Sequence, residues 1–258
     1  MNKKVVAIIQ ARMGSTRFPG KVLRMLAGKP MLAQEIERVK ESKKIDSLVL
    51  ATSDQSQDDP VAALGESAGV KVFRGSEQDV LERYYLAAKV AGATVVVRLT
   101  GDCPLHDPKV IDEVIEHFLA EGLDYTYIPT NYPEGVDTEV FSFKALEQAW
   151  KDARLPSERE HVTPYIRNHP ELFKVGKEWT IEEGNYAGMH WSVDTSQDFA
   201  FVEEVYKRWY REGQIFHKEE VLKLLQEEPE LLEINKGGTG YEGLAQSVTE
   251  DELWKQQQ

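Results

Sequence analysis

The first half of the chain alternates short apolar segments with helical segments. The apolar pattern predicts strands at 5–9, 47–51, 71–73 and 94–99, and helices that begin near Met31 and cover 60–68, 80–91 and 108–119. Strands that are apolar on both faces are typical of parallel sheets covered by helices on each side. The sequence therefore predicts an α/β fold with three layers, α/β/α. Such sheets bind ligands at the carboxyl ends of their strands, where the strand order reverses.

The pattern changes after Asp124, where tyrosines and prolines precede β-branched and aromatic residues that predict a strand at 138–143. Further helices are predicted at 158–168, 199–211 and 221–226. We expect one domain over residues 1–235, with an insertion or sheet extension at about 124–143 that forms the acceptor side of a site. Residues 236–258 form an acidic tail that we expect to be weakly ordered.

Charge and composition exclude several classes of protein. The 258 residues carry 31 basic and 44 acidic side chains, and a net charge of −13 argues against nucleic acid or an anionic membrane as a partner. The first 50 residues, however, contain 11 basic and 4 acidic side chains, which favours a small polyanion near that end. No apolar run approaches the roughly 18 residues of a membrane span. With no secretion signal and with Cys103 as the single cysteine, we expect a cytoplasmic protein without an internal disulfide.

The segment after the first strand has the composition of a phosphate-binding loop. Arg12 and Arg17 can donate bidentate hydrogen bonds to phosphate oxygens, Lys21 supplies a compact charge, and Gly14 allows close approach of the backbone. The loop has neither the Walker A pattern nor the dinucleotide fingerprint. Its alternative interpretation is a basic surface turn. The further nucleotide-binding residues predicted in this loop are Gln10, Ala11 and Ser15.

Several motifs resemble one known family. Ser15-x-Arg17-x-Pro19-Gly20-Lys21 after an apolar strand resembles the signature of the cytidylyltransferases that make CMP-activated acidic sugars. Stretches at 8–17, 74–85, 101–105, 135–141 and 159–165 resemble the spore coat polysaccharide biosynthesis protein F-like branch of that superfamily. The resemblance runs from residue 4 to about 235. It implies a Rossmann-like, mixed and mainly parallel sheet of the nucleotide-diphospho-sugar transferase (glycosyltransferase-A-like) type.

Two aspartates are candidate metal ligands. Asp102 follows a buried strand, and Asp194 follows a short apolar strand at 191–193, so a mixed sheet could bring both carboxylates to one edge. Mg²⁺ prefers hard oxygen ligands and is commonly held by one or two carboxylates together with substrate phosphates. The resemblance implies that Asp102 and Asp194 hold the catalytic Mg²⁺. From the residues alone, Asp194 could equally be the N-cap of the helix that follows it.

Polar residues after the second and third strands are candidates to contact the ribose and the base. They are Thr52, Ser53, Asp54, Arg74, Gly75 and Ser76. Spacing does not choose among nucleotides, and the resemblance alone implies cytosine. Asp79 and Arg83, four residues apart on a helix, are expected to form an ion pair rather than to contact the ligand.

The acceptor side is predicted from a strand and the start of a helix. Glu139, Arg159 and His161 could bind the carboxylate and hydroxyls of an acceptor, with Arg159 as the carboxylate partner. A salt-bridged helix start explains Arg159 equally well. His190 stands where the branch is expected to carry arginine, so an acceptor contact at that position is in doubt.

The resemblance implies an Mg²⁺-dependent transfer of CMP from CTP to an acidic sugar, with release of pyrophosphate, for surface polysaccharide synthesis. Arg12, Arg17 and Lys21 would stabilise the leaving pyrophosphate. The alternatives are a glycosyltransferase of related fold, disfavoured because Asp102-Cys103-Pro104 lacks a D-x-D motif, and an inactive nucleotide-binding protein of a polysaccharide operon. The related enzymes are commonly dimers, so we expect a homodimer.

Overall fold

One mixed sheet organises the molecule in the computed structural model, which describes residues 3–180, 184–237 and 242–256. The strands are β1 (Val5–Gln10), β2 (Met25–Leu26), β3 (Lys29–Pro30), β4 (Ser47–Ser53), β5 (Lys71–Gly75), β6 (Val95–Thr100), β7 (Tyr125–Tyr127) and β8 (Glu139–Ser142). The order across the sheet is β5-β4-β1-β6-β8-β7, while β2 and β3 pair separately.

The four predicted strands form the parallel part of this sheet. In β1, Val6 pairs with Ser47 of β4 on one side and with Val96 of β6 on the other. Strand β8 then adds antiparallel to β6, with Val140 opposite Val97, and β7 adds antiparallel to β8. The predicted mixed, mainly parallel sheet is therefore confirmed, and segment 124–143 extends it.

Helices cover both faces of the sheet. They are α1 (Met31–Val39), α2 (Asp59–Ser67), α3 (Val80–Ala91), α4 (Pro108–Glu121), α5 (Phe143–Asp152), α6 (Pro156–His161), α7 (Pro164–Asn168), α8 (Ser196–Trp209), α9 (Lys218–Glu227) and α10 (Glu242–Lys255). Because side chains alternate along a strand, Ala7 and Ile9 pack with α1, α4 and α8, while Val6 and Ile8 pack with α3 and α5. None of the described helices is both long and apolar enough to cross a membrane.

The helix predicted at 158–168 is two helices. Helix α6 ends at His161, Val162 adopts a φ of 72°, and α7 begins at Pro164. Proline has no backbone N–H to donate and its ring would clash with the preceding turn, so a single helix cannot pass through this position. The break directs the Thr163 hydroxyl to Glu139 on β8, at 2.7 Å.

The acidic tail, expected to be weakly ordered, contains helix α10. Buried Asp251 accepts hydrogen bonds from the Ser157 backbone N–H at 2.9 Å and from the Ser157 hydroxyl at 2.5 Å. These contacts fix α10 to the start of α6 and cannot be read from the composition of the tail. Tail residues 238–241 and 257–258 lie outside the described part of the chain.

Candidate active site

The site lies where the strand order reverses. From β1 the chain proceeds to β4 and β5 on one side, and β6 lies on the other side, so the loops after β1 and β6 border one crevice. The Gly101 N–H donates to the Gln10 carbonyl at 2.7 Å. A Cβ atom at Gly101 would lie 2.7 Å from that of Ala11, so only glycine allows this close approach.

The loop after β1 is held in place by its neighbours. Its Met13 N–H donates to Asp58 Oδ1 at 2.6 Å, and Asp58 also accepts from the Ser53 hydroxyl at the end of β4. Gly20, with a φ of 69°, turns the chain into the short 3-10 helix that carries Lys21. The loop encloses a cavity of about 260 Å³, here called the loop cavity. It is lined by Gln10, Ala11, Arg12, Gly14, Ser15, Thr16, Arg17, Lys21, Val22, Thr100, Gly101, Asp102 and Asp194.

Lys21 joins the two candidate metal ligands. Its Nζ donates to Asp102 Oδ2 at 2.9 Å, to Asp194 Oδ1 at 3.0 Å and to the Val193 carbonyl at 2.7 Å. Burial alone would lower the pKa of Lys21, but the two carboxylates raise it. Although burial opposes it, Lys21 and further hydrogen bonds lower the pKa of Asp102 to about 2. Lys21 and Asp102 are therefore both ionised at neutral pH.

Asp194 is oriented by its neighbours on both sides. Arg17 Nη2 lies 2.9 Å from Asp194 Oδ1, and the Asp194 backbone N–H donates to Asp198 Oδ2 at 3.0 Å. The N-cap of α8 is Thr195, whose side chain accepts from the Asp198 N–H, so Asp194 is not the cap. The N-cap interpretation of Asp194 is wrong, and its carboxylate lines the loop cavity instead. The short strand predicted before Asp194 is wrong as well, because residues 191–193 are irregular, with the Val193 N–H donating to the Asp102 carbonyl at 2.8 Å.

The donor set fits a magnesium ion. Asp102 and Asp194 each place a carboxylate oxygen within 3.0 Å of the same cationic atom, Lys21 Nζ, so both can approach one cation. Two hard carboxylates complemented by phosphate oxygens match the usual Mg²⁺ site. Among the described residues no group of three or more His, Cys, Asp or Glu side chains could hold a metal. Substrate phosphates would therefore complete the coordination.

A second cavity, here called the β8 cavity, adjoins the loop cavity. Its volume is about 460 Å³, and it shares Arg17, Thr100, Asp102 and Asp194 with the loop cavity. Its other lining residues are Arg98, Cys103, Tyr125, Tyr127, Ile128, Glu134, Asp137, Thr138, Glu139, His161, Thr163, Arg167 and Ser192. The two cavities therefore meet at the carboxylates of Asp102 and Asp194.

Glu139 accepts hydrogen bonds from three side chains at the β8 cavity. It accepts from Arg98 Nη1, from the Tyr125 hydroxyl and from the Thr163 hydroxyl. Burial would raise the pKa of Glu139, but Arg98 and Arg167 lower it. His161 also lines the cavity, bonded through Nε2 to the Ser247 hydroxyl at 3.0 Å, and burial lowers its pKa.

Comparison with known proteins assigns the family. A sequence model of the cytidylyltransferases matches residues 6–237. The chain belongs to the cytidylyltransferase family. The spore coat polysaccharide biosynthesis protein SpsF of Bacillus subtilis is 40% identical over 209 residues, 79% of this chain and 87% of that protein. A cytidylyltransferase structure from Leptospira borgpetersenii superposes with a TM-score of 0.85 at 32% identity, covering 92% of this chain and 100% of that one. The resemblance and fold inferred from sequence are confirmed.

A partial match concerns acidic sugars directly. The 3-deoxy-manno-octulosonate cytidylyltransferase of Trichlorobacter lovleyi is 37% identical over 117 residues, 45% of this chain and 45% of that protein. The similarity of this cytidylyltransferase to that enzyme, which is named for an acidic sugar, therefore covers less than half of either chain.

None of the residues predicted to contact the ribose and the base lines the loop cavity. Several of them instead connect the ends of β4 and β5 in this cytidylyltransferase. Thr52 and Ser53 are fully buried at the end of β4, and Asp54 beside them is exposed. Arg74 donates to the carbonyls of Ser53 and Gln55, at 3.0 and 2.9 Å. Gly75 pairs with Ser53 at the end of β5, and the Ser76 hydroxyl accepts from the Asp79 N–H at 3.0 Å. A base contact through these residues stays a prediction.

Arg159 lies apart from the β8 cavity. Its Nε donates to Asp79 Oδ2 at 3.0 Å and its Nη1 to the Trp150 carbonyl at 2.9 Å. The geometry matches the salt-bridged helix start rather than a carboxylate-binding site. The expected Asp79–Arg83 ion pair is wrong, because Asp79 caps α3 and pairs with Arg159, while buried Arg83 donates to the Ser76 carbonyl.

Four charged groups in this cytidylyltransferase escape sequence reasoning. Arg98, Arg167 and Asp137 line the β8 cavity, and Glu134 joins them. Burial raises the pKa of Asp137 to about 6. Arg98 interrupts the apolar run of β6, and a charge inside a buried strand is a usable signal. Arg167, in the last turn of α7, carries no such signal.

His190 lies between Glu134, which lines the β8 cavity, and Asp198 at the start of α8. Its Nδ1 lies 2.8 Å from Glu134 Oε2, and its Nε2 lies 3.4 Å from Asp198 Oδ1. Burial would lower the pKa of His190, but the two carboxylates raise it to about 10. The imidazolium therefore fixes Asp198, which in turn holds the backbone of Asp194.

Proposed function

We propose that this cytidylyltransferase transfers CMP from CTP to the anomeric hydroxyl of an acidic sugar. The observation that carries the proposal is the wall shared by the two cavities, formed by Arg17, Thr100, Asp102 and Asp194. A triphosphate among the cations of the loop cavity and a sugar in the β8 cavity would meet at that wall. The partial match to a 3-deoxy-manno-octulosonate cytidylyltransferase supports an acidic acceptor.

The reaction joins the anomeric oxygen to the α-phosphorus of CTP. As that bond forms, the bond from the α-phosphorus to the bridging oxygen breaks, and its electrons leave with pyrophosphate. Arg12, Arg17 and Lys21 face the loop cavity and would stabilise the negative charge that accumulates on the leaving group. Removing one preorganised donor of this kind costs about 3–4 kcal/mol of barrier. Catalysis would therefore be mainly positioning and electrostatics.

Asp102 and Asp194 would hold the Mg²⁺ ion. When bound there, Mg²⁺ would neutralise charge on the phosphates and lower the pKa of the acceptor hydroxyl. Lys21 bonds to the same two carboxylates, so it is placed to contact any phosphate that bridges to them. Asp198 and His190 would keep Asp194 oriented throughout, since their contacts lie outside the shared wall.

We base the proposed biological role on a named relative. The 40% identical protein of Bacillus subtilis is named for spore coat polysaccharide biosynthesis, and we extend synthesis of an activated sugar for a surface polysaccharide to this chain. A homodimer stays a prediction.

The test measures pyrophosphate release with each of the four nucleoside triphosphates, with and without Mg²⁺, against a panel of 3-deoxy and nonulosonic acids. We expect Mg²⁺-dependent release with CTP and at least one acidic sugar. Release of a nucleoside diphosphate from a nucleotide-sugar would instead identify a glycosyltransferase. Thermal stabilisation by CTP without release across the panel would contradict turnover and favour a nucleotide-binding protein.

A further inference from the structure

Three arginines line the β8 cavity, and they differ in their partners. Arg17 Nη2 lies 2.9 Å from Asp194 Oδ1, and Arg98 Nη1 donates to Glu139 Oε2. Arg167 has neither a hydrogen bond nor an ion pair to any side chain of residues 3–180, 184–237, 247 and 249–256, the part of the chain whose side chains the structure describes. Its guanidinium is exposed at the cavity, in the last turn of α7.

Four of the five acids that line the β8 cavity are already paired, and the fifth, Asp137, accepts a hydrogen bond from the Gly135 N–H at 2.6 Å. Glu139, whose pKa Arg98 and Arg167 both lower, is held by Arg98, Tyr125 and Thr163. Glu134 is paired with His190 at 2.8 Å. Asp102 and Asp194 are paired with Lys21. Among the described side chains, Arg167 is thus the arginine of the β8 cavity whose N–H donors remain available to a ligand.

Arg159, expected from sequence to bind the acceptor's carboxylate, is bonded to Asp79 and the Trp150 carbonyl. An acidic acceptor in the β8 cavity therefore needs another cation. A guanidinium presents two parallel N–H donors that match the two oxygens of a carboxylate.

We propose that Arg167 binds the carboxylate of the acceptor sugar and sets the preference for an acid over a neutral sugar. The assignment rests on the proposed function. It places the acceptor's carboxylate at the end of α7, while the acceptor's hydroxyl reaches the shared wall at Asp102 and Asp194. The backbone break at Val162 and Pro164 is what brings α7, and with it Arg167, to the cavity.

The test compares the wild type with Arg167→Gln and Arg167→Lys on an acidic sugar that the wild type accepts. We expect Arg167→Gln to raise KM for the acid by about 10- to 100-fold, the range for losing hydrogen bonds to a charged group. Arg167→Lys should recover part of this loss, because lysine keeps the charge but not the paired donors. The KM for CTP and the affinity for Mn²⁺ should stay unchanged.

The methyl ester of the same acid separates recognition from a structural defect. The wild type should lose as much affinity on the ester as Arg167→Gln loses on the acid, and Arg167→Gln should not distinguish the two. Arg211→Gln is the matched control, since Arg211 is exposed and bonds only the Arg208 and Tyr210 carbonyls among the contacts described. Thermal melting of each variant checks folding.

An unchanged KM for the acid in Arg167→Gln would overturn the assignment, as would an equal loss on acid and ester. Failure of the proposed function has a different signature. In that case the wild type itself releases no pyrophosphate from CTP with any acidic sugar, and the assignment of Arg167 falls with it.

Discussion

The loop cavity and the β8 cavity share a wall but are built in different ways. The loop cavity takes most of its lining from one stretch, residues 10–22, together with Asp102 after β6 and Asp194 before α8. The β8 cavity takes its lining from β6, β7, β8, α6, α7 and the segments between them. A phosphate site can be built from local backbone and a few cations, whereas a sugar pocket needs side chains from distant segments.

Replacing Lys21 should impair the loop cavity and the wall that it shares with the β8 cavity. Lys21→Ala removes a cation from the leaving group and leaves two carboxylates facing each other. We expect kcat to fall by about 10²–10³-fold. Single-turnover pyrophosphate release measures this, with Lys29→Ala as the control, because Lys29 pairs with Glu37 at the surface. Near-normal turnover in Lys21→Ala would contradict the assignment of the loop.

Replacing either shared-wall aspartate would weaken metal binding. Asp102→Asn and Asp194→Asn each remove a negative ligand. We expect the Mn²⁺ affinity of the CTP-bound protein to fall by about 10²-fold or more, because loss of a direct ligand should cost at least as much as loss of an outer-shell partner. Titration of Mn²⁺ monitored by electron paramagnetic resonance measures it. Asp152→Asn is the control, since Asp152 is exposed on α5. Equal Mn²⁺ affinity in all three variants would contradict the assignment of a metal site to the shared wall.

Sequence reasoning succeeded where the information is local. The strands around β1, the basic loop and Asp102 at a strand end all follow from apolar periodicity and strand-end position. It failed where side chains are brought together by tertiary structure. Arg159 and Arg167 lie on neighbouring short helices separated by a break, and only the packing of those helices decides which one faces the cavity. Likewise, nothing in the tail predicts the Asp251–Ser157 contact.

His190 pairs with Glu134 and Asp198, so its titration should make the free energy of unfolding depend on pH. The pKa of His190 is raised to about 10 in the folded protein, above its unfolded value, so its contribution is fully present below about pH 6.5 and is lost as the pH rises toward 10. Between pH 7 and pH 9, we expect the free energy of unfolding of the wild type to fall by roughly 2 kcal/mol more than that of His190→Gln. Urea unfolding at several pH values measures it. Parallel pH profiles for the two proteins would contradict the pairing with Glu134 and Asp198.

The tail should affect the β8 cavity alone and only slightly. Asp251→Ala removes two buried hydrogen bonds to Ser157, and we expect the free energy of unfolding to fall by about 2 kcal/mol. Because α6 carries His161 at the cavity, KM for the acceptor should rise while KM for CTP does not. Glu252→Ala, which removes an exposed ion pair with Lys255, is the control. A changed KM for CTP would show that the two cavities are not separable in this way.

In the proposed reaction, CMP is transferred from CTP in the loop cavity to the sugar in the β8 cavity, across the wall that the two cavities share. Incubation with CTP labelled at the α-phosphate and an acidic sugar, followed by mass analysis of the labelled product, tests it directly. We expect label in a compound with the mass of CMP plus the sugar minus water, formed in equal amount with pyrophosphate. Label recovered only in free CMP or CDP would contradict it.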